Sequence, residues 1–291
     1  MIKKIAITGG THGNELTGVY LIKKWQDQPH LVERSNFETI LLHTNPQAIK
    51  ECRRYIDKDL NRSFSKDILT QNPTNYEARR AHKLNELLGP KGDKNTEVDF
   101  IVDLHSTTAN MGLSLVVSSK SKLTWQAVRY LCKKEPTLHV YRWMGDEEDA
   151  FVDSISPNGF AIEVGSIPQG VLRADLFEKS AALIYHLLDF FENYNKGIYQ
   201  EGNNSIEIYD HVKLLDYPRD KQGNITAMVH QDLQDRDYKL LKKGDPIFLT
   251  LKGETIYYEE DEPLFALFIN EAAYYEKGFA MCLSRKINLA T

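Results

Sequence analysis

Ile5-Ala6-Ile7-Thr8-Gly9-Gly10-Thr11-His12-Gly13-Asn14-Glu15 is the stretch whose reading decides the fold. A short apolar run, rich in β-branched residues, stops at two glycines. A helical pattern of Leu16, Val19, Tyr20 and Ile22 starts directly behind Glu15. The stretch therefore reads as a strand, a tight turn and a helix start. In open α/β sheets ligands bind just beyond the carboxyl ends of such strands. His12 and Glu15 thus stand where a metal or substrate would sit. An imidazole and a carboxylate suit a catalytic zinc, which takes three protein ligands and keeps a fourth position open. Alone, His-x-x-Glu is a weak pattern, satisfied equally by a loop histidine near a helix-capping glutamate.

A second strand end repeats the arrangement. Val98 to Leu104 reads as a strand, and His105 follows at once. Two histidines and a glutamate at two strand ends form the open His₂Glu set of zinc hydrolases. Gly159 to Gly165 is a further apolar strand with one carboxylate, Glu163. A charge inside an apolar run is costly unless it is paired or functional. Glu163 is therefore the candidate general base, the alternative being a structural carboxylate paired with an arginine. Between these strands, residues 51–76 form a long polar stretch containing Arg53, Arg54, Asp59, Asn61 and Arg62. Loops of this length are functional or disordered. Arginines and an asparagine suit planar recognition of a carboxylate, and a solvated charged loop is the plainer reading.

The remaining pattern is α/β and then β. Helices are expected at Leu16–Trp25, Tyr76–Leu88, Trp125–Cys132 and Arg173–Tyr194, and strands at Phe37–His43 and Leu113–Val117. Residues 146–153 read as an acidic loop. Composition shifts at residues 195–204, which places a boundary between a domain of residues 1–200 and a β-rich domain of residues 201–291. In the second, strands are expected at 206–209, 225–229, 247–251, 255–258, 264–269 and 279–283.

Composition narrows the function. The 291 residues are 42% hydrophobic and 26% charged, the balance of a soluble globular protein. A net charge of −5 argues against nucleic acid or an anionic membrane as the main partner. No run approaches the ~20 apolar residues of a membrane helix, and the opening segment is too short for a signal peptide. Cys52, Cys132 and Cys282 form no C-x-x-C pair, so a reducing cytoplasm is the expected setting and three small buried hydrophobes the expected role. The glycines at 9, 10 and 13 match neither the phosphate-binding loop nor the dinucleotide fingerprint.

Several motifs together resemble the aspartoacylase family, part of the wider zinc-carboxypeptidase-like group that includes the succinylglutamate desuccinylases. They are residues 9–18, Arg54 to Asp57, Asp59-Leu60-Asn61-Arg62, Asp103-Leu104-His105, Asn110-Met111-Gly112 and Ile162 to Gly165. Residues 168–175, Tyr217 to Asp220 and Asn270 to Lys277 continue the likeness. The resemblance implies a zinc-carboxypeptidase-like mixed sheet flanked by helices, and a β-rich C-terminal domain that narrows the active site. It implies hydrolysis of N-acetyl-L-aspartate to acetate and L-aspartate, with one Zn²⁺ per subunit of a homodimer. By the same likeness His12, Glu15 and His105 match the zinc ligands, and Glu163 matches the general base. Arg54 matches the group that polarises the scissile carbonyl. Asn61, Arg62, Tyr274 and Lys277 match substrate contacts, with Asp59 supporting.

One departure bears on the substrate. Where the family places a tyrosine and an arginine for the substrate's side-chain carboxylate, ungapped counting from Glu163 puts Asp149 and Asp153. Either the loop is shifted and brings Arg142 in, or the substrate lacks that second charge. The second option implies an aminoacylase acting on N-acyl aromatic amino acids. A reading from another class is a non-catalytic metal- or amino-acid-binding protein.

Overall fold

The computed structural model describes residues 1–93, 95–144, 149–200 and 205–290. The N-terminal part runs β1 (Lys4–Gly9), α1 (Leu16–Asp27), β2 (Glu38–His43), α2 (Pro46–Glu51), α3 (Lys66–Thr70) and α4 (Tyr76–Leu88). It continues with β3 (Phe100–Ser106), β4 (Gly112–Val117), α5 (Lys122–Lys134), β5 (His139–Arg142), β6 (Gly159–Gly165) and α6 (Ala174–Asn195). The C-terminal part holds β7 (Ile206–Leu215), β8 (Ala227–Val229), β9 (Lys239–Leu241), β10 (Pro246–Thr250), β11 (Thr255–Tyr257), β12 (Leu264–Leu267) and β13 (Met281–Leu289).

Ten strands form one mixed sheet in the order β2-β1-β3-β6-β4-β5-β7-β13-β12-β9. β2, β1, β3 and β6 are mutually parallel, which brings the carboxyl ends of β1, β3 and β6 side by side. β3 is buried on both faces and accordingly reads as a nearly continuous apolar run. Leu21, Ile22 and Trp25 of α1, Val128 and Leu131 of α5 and the apolar stripe of α6 share one core. Ala81, Leu84 and Leu88 of α4 join Leu60, Phe64, Val152 and Ile155 in a second core.

Two glycines set the distance between α1 and the sheet. A Cβ on Gly18 would meet the Leu104 carbonyl oxygen at 2.6 Å, and one on Gly9 would meet the Gly18 carbonyl oxygen at 2.6 Å. The helix thus lies at backbone contact on β1 and β3, and its first turn sits over their carboxyl ends.

Several expected boundaries shift. The helix expected at Trp125–Cys132 starts at Lys122, because the Ser121 hydroxyl accepts from the Leu123 amide and caps it. The polar stretch 51–76 is not one open loop: it contains a 3₁₀ turn at Leu60–Arg62 and the short α3. β5 and β9 were not expected; at four and three residues they are too short for alternation to register. Of the expected acidic loop, residues 145–148 lie outside the described residues, and Val152–Ile155 forms a 3₁₀ turn. The expected boundary at 195–204 follows the end of α6, and residues 201–204 lie outside the described residues. The main sheet continues past that point: β7 pairs in parallel with β5 through Tyr141–Tyr209 and Arg142–Asp210. β8, β10 and β11 form a separate three-stranded sheet over a third core. No helix among the described residues is long and apolar enough to cross a membrane.

Candidate active site

Adjacent carboxyl ends of β1, β3 and β6 collect the polar residues singled out by the sequence. His12 lies in the turn after β1, Glu15 immediately precedes α1 without its side chain capping the helix, and His105 is the penultimate residue of β3 rather than one step beyond it. All three are buried, and one donor atom from each lies within 4.8 Å of the others. His12 Nδ1 is 2.7 Å from Glu15 Oε1, and His105 Nδ1 is 2.9 Å from Glu15 Oε2. The opposite ring nitrogens face buried carboxylates: His12 Nε2 is 3.0 Å from Asp59, and His105 Nε2 is 2.7 Å from Asp103. Asp103 also accepts from Thr8 Oγ1 at 2.7 Å and Thr11 Oγ1 at 2.9 Å. A carboxylate behind each imidazole is the arrangement that orients histidines on a metal and fixes their tautomer. Two imidazole nitrogens and a carboxylate oxygen converging in this way fit a zinc-type cation.

The local field agrees with such a cluster. Burial alone would raise the Glu15 pKa, but His12 and His105 hold it well below the usual carboxylate range. Burial works against a charged His105, yet Asp103 and Glu15 raise it well above its ordinary value. Arg54 donates to Glu15 at 3.1 Å and to Asp59 at 3.3 Å. The sequence alone left Arg53 and Arg54 open; Arg54 faces the site, whereas Arg53 is exposed and pairs with Glu51 at 3.6 Å.

Glu163 on β6 is the register partner of His105 on β3. Its Oε2 is buried and has no hydrogen-bond partner among the described residues. Burial pushes its pKa up to about 8, with His105 opposing the rise. It is therefore not the arginine-paired structural carboxylate of the alternative reading.

These groups open on a cavity of about 640 Å³. Asn61 and Arg62 stand in its wall. The Arg62 guanidinium lies over the Phe151 ring, 4.8 Å from its centroid, while Asn61 Oδ1 accepts from the Val152 amide at 2.9 Å. Tyr274 and Lys277 enter the wall on a 3₁₀ turn, Ala272–Lys277. That turn is fastened by Glu271, whose carboxylate accepts from the Thr107 hydroxyl, the Thr108 amide at 2.7 Å and the Ala109 amide at 3.1 Å. Sequence reasoning assigned no role to Glu271 or Asp103. Asp103 carried a usable signal, a second carboxylate inside an apolar strand two residues before His105 and so on the same face; Glu271 carried none.

The far part of the cavity is aromatic. Tyr141 and Trp143 come from β5 and its end, His211 from β7, and Phe268 and Phe279 flank β12 and β13. The Tyr141 hydroxyl is 2.8 Å from His211 Nδ1, and the Trp143 and His211 rings lie 4.5 Å apart. Tyr274 packs on Phe279 at 4.2 Å, joining this wall to the polar end. Cys282 lines the same wall and Cys132 is half-buried, but Cys52 is exposed, so only part of the expected role for the cysteines holds.

The two departing aspartates separate. Asp153 is buried and lines the cavity, and burial lifts its pKa to about 7. Asp149 is exposed and does not line it. Arg142 is held by Asp210 through two bonds of 2.7 and 2.8 Å and is not in the cavity wall. The expectation that it replaces the missing arginine is therefore corrected.

Comparison with known proteins fits this geometry. The family model for the succinylglutamate desuccinylase/aspartoacylase catalytic domain matches residues 1–191. The chain belongs to the succinylglutamate desuccinylase/aspartoacylase family. The family's barrel-sandwich hybrid domain matches residues 204–286. A probable aspartoacylase of Trichodesmium erythraeum is 50% identical, over 98% of this chain and 97% of its own length. The human N-acyl-aromatic-L-amino acid amidohydrolase (carboxylate-forming) is 41% identical, over 98% and 91%. The crystal structure of murine aminoacylase 3 matches with a TM-score of 0.91 and 42% identity, covering 99% of this chain and 96% of that one. The mixed sheet with its C-terminal hybrid domain is thus the family fold, and the chain is an amidohydrolase of the aspartoacylase/aminoacylase group.

Proposed function

We propose that this chain is a zinc-dependent hydrolase of N-acyl-L-amino acids, with a preference for aromatic or apolar side chains. The observation that carries the preference is the cavity wall: aromatic rings line much of it, and a buried carboxylate, Asp153, lines the same cavity. Above pH ~7, where Asp153 is ionised, a substrate carboxylate facing it is repelled, and repulsion grows as water is excluded. An aromatic side chain finds rings at edge and face contact distance instead. The name of the human relative, an N-acyl-aromatic-L-amino acid amidohydrolase, supports the same reading.

His12, Glu15 and His105 would hold the metal, with Asp59 and Asp103 fixing the two imidazoles. When bound, zinc supplies Lewis acidity for the amide carbonyl and for the attacking water. In its ionised form Glu163 accepts the water proton and delivers it to the leaving nitrogen; burial makes that carboxylate a stronger base than an exposed one. Arg54 lies beside Glu15 and offers positive charge to the oxygen that becomes negative. Arg62, held over the Phe151 ring, presents its planar donors to the substrate's α-carboxylate next to Asn61.

A second reading, N-acetyl-L-aspartate, is favoured by Lys277 in the wall and by the names of the bacterial relatives. The zinc-loaded protein, assayed for acetate release, is expected to favour N-acetyl-L-phenylalanine over N-acetyl-L-aspartate. The reverse order would establish the second reading. Zinc binding without acetate release from any N-acetyl amino acid would leave a non-catalytic binding protein.

A further inference from the structure

Two segments carry the substrate-facing wall near the metal cluster: residues 60–64, with Asn61 and Arg62, and residues 149–154, with Phe151 and Asp153. They are far apart in sequence and meet along a seam. The Phe64 amide donates to the Ala150 carbonyl at 3.2 Å, and the Val152 amide to Asn61 Oδ1 at 2.9 Å. Behind the seam and outside the cavity lies Lys91. Its Nζ donates to the Phe64 carbonyl at 2.9 Å, to Ser154 Oγ at 2.8 Å and to the Asp149 carbonyl. Its own backbone is tied to α4, the Lys91 amide donating to Asn85 Oδ1 at 2.8 Å.

One nitrogen thus meets three acceptors, one on the first segment and two on the second. An ammonium has three N–H donors and no acceptor, so each is used once. We propose that Lys91 is a positioning residue for substrate binding: it pins residues 149–154 to residues 60–64 from behind the wall, and so sets the Arg62 guanidinium on the Phe151 ring. The proposal rests on the reading of this cavity as the N-acyl amino acid site. Burial lowers the Lys91 pKa to about 8, with Asp149 and Asp153 opposing and Lys66 assisting. The group therefore keeps its third proton at neutral pH.

A simple structural staple would affect melting temperature without sorting the kinetic constants. A positioning role sorts them. In zinc-loaded Lys91→Met at pH 7, which keeps the apolar stem, KM for the preferred substrate is expected to rise about tenfold, the weight of a hydrogen bond from a charged donor. Turnover is expected to stay within about twofold, since the groups around the reacting carbonyl are untouched. Lys91→Arg, which can still reach the carbonyls, is expected to recover part of the KM. An unchanged KM in Lys91→Met, or equal losses in turnover and turnover over KM, overturns the proposal.

A second measurement needs no turnover, and so separates failure of this proposal from failure of the amidohydrolase reading. Amide hydrogen exchange at Phe64 and Val152 is expected to speed up in Lys91→Met while β1 and β3 keep their protection. Unchanged exchange at both amides overturns the proposal whatever the substrate. If Lys91→Met does not fold, Ser154→Ala removes one of the three acceptors. It is expected to raise KM roughly two- to threefold, less than Lys91→Met because the ammonium keeps its other two acceptors; no rise overturns the proposal.

Discussion

The two ends of the cavity are built in opposite ways. At the end proposed to hold metal, His12, Glu15, His105 and Glu163 come from the ends of three adjacent parallel strands and the N-cap of one helix, and each imidazole of the pair has a carboxylate behind it. At the aromatic end, the rings come from positions between 141 and 279, brought together where β7 joins the main sheet and β12 and β13 extend it. The first end follows from strand order and, in the proposed function, would serve bond cleavage. The second depends on the C-terminal part completing the sheet and would select what is cleaved. Chemistry could therefore stay fixed while specificity changes, because the two sets share no strand, and Tyr274, on its 3₁₀ turn, joins them.

The largest test of that division is Glu163→Gln. If Glu163 only lines the wall, the change is nearly silent. If it moves the proton, turnover falls by roughly 10²- to 10⁴-fold. Metal content, measured by atomic emission, is expected to stay at the wild-type ratio because Glu163 is not in the ligand cluster. Retained turnover would move the base elsewhere.

Next in size is Asp103→Asn. Among the described residues Asp103 is hydrogen-bonded to His105, Thr8 and Thr11. Its effect on the cluster passes through the His105 ring. Metal affinity is expected to drop about 10- to 100-fold, the usual cost of losing an outer carboxylate. Competition with a chelator measures it, and an unchanged affinity would sever Asp103 from the metal end.

Much of the metal end was legible in the sequence. His12 and Glu15 are three residues apart at a strand end, and Glu163 stands out as a charge in an apolar run. Asp103 sat in an equally apolar run and went unassigned because His105 drew the reading; its period-2 relation to His105 was the missed clue. The aromatic end was not legible. β5 is four residues long, and Tyr141, Trp143, His211, Phe268 and Phe279 share no periodicity, so only pairing across the sheet makes them neighbours. Glu271 was hidden for the same reason: its partners are Thr107, Thr108 and Ala109, more than 160 residues away. The fold itself was clearer, since long elements such as α4 and α6 carry unbroken apolar stripes, whereas three-residue strands carry none.

Asp153→Asn sharpens the comparison at the point where both ends meet. At pH 8, where Asp153 is ionised, removing the wall carboxylate is expected to raise the ratio of turnover over KM for N-acetyl-L-aspartate relative to N-acetyl-L-phenylalanine by on the order of tenfold, a modest share of a like-charge repulsion in a partly dry site. The same residue has a signature in stability. Burial lifts its folded pKa from 3.8 to about 7, so between those values the folded state holds a proton that the unfolded chain has lost. Stability from this group is present at low pH and declines as pH rises towards 7. The variant is expected to gain in melting temperature relative to wild type at pH 8 more than at pH 5. A gain that is equal at both would show that Asp153 is not held in a dry wall.

The smallest expected effect belongs to Arg142, and its smallness is informative. If the loop before Glu163 shifted so that Arg142 met a substrate carboxylate, Arg142→Met would abolish selectivity for acidic substrates. The geometry argues otherwise: Arg142 forms a two-bond fork with Asp210 across β5 and β7, about three-quarters buried on each side. A partly exposed pair of this kind contributes ~1 kcal/mol or less. The variant should therefore lose at most a few degrees of melting temperature and keep its substrate ranking. A changed ranking with unchanged stability would place Arg142 in the specificity wall, and would return the acidic substrate to first position despite Asp153.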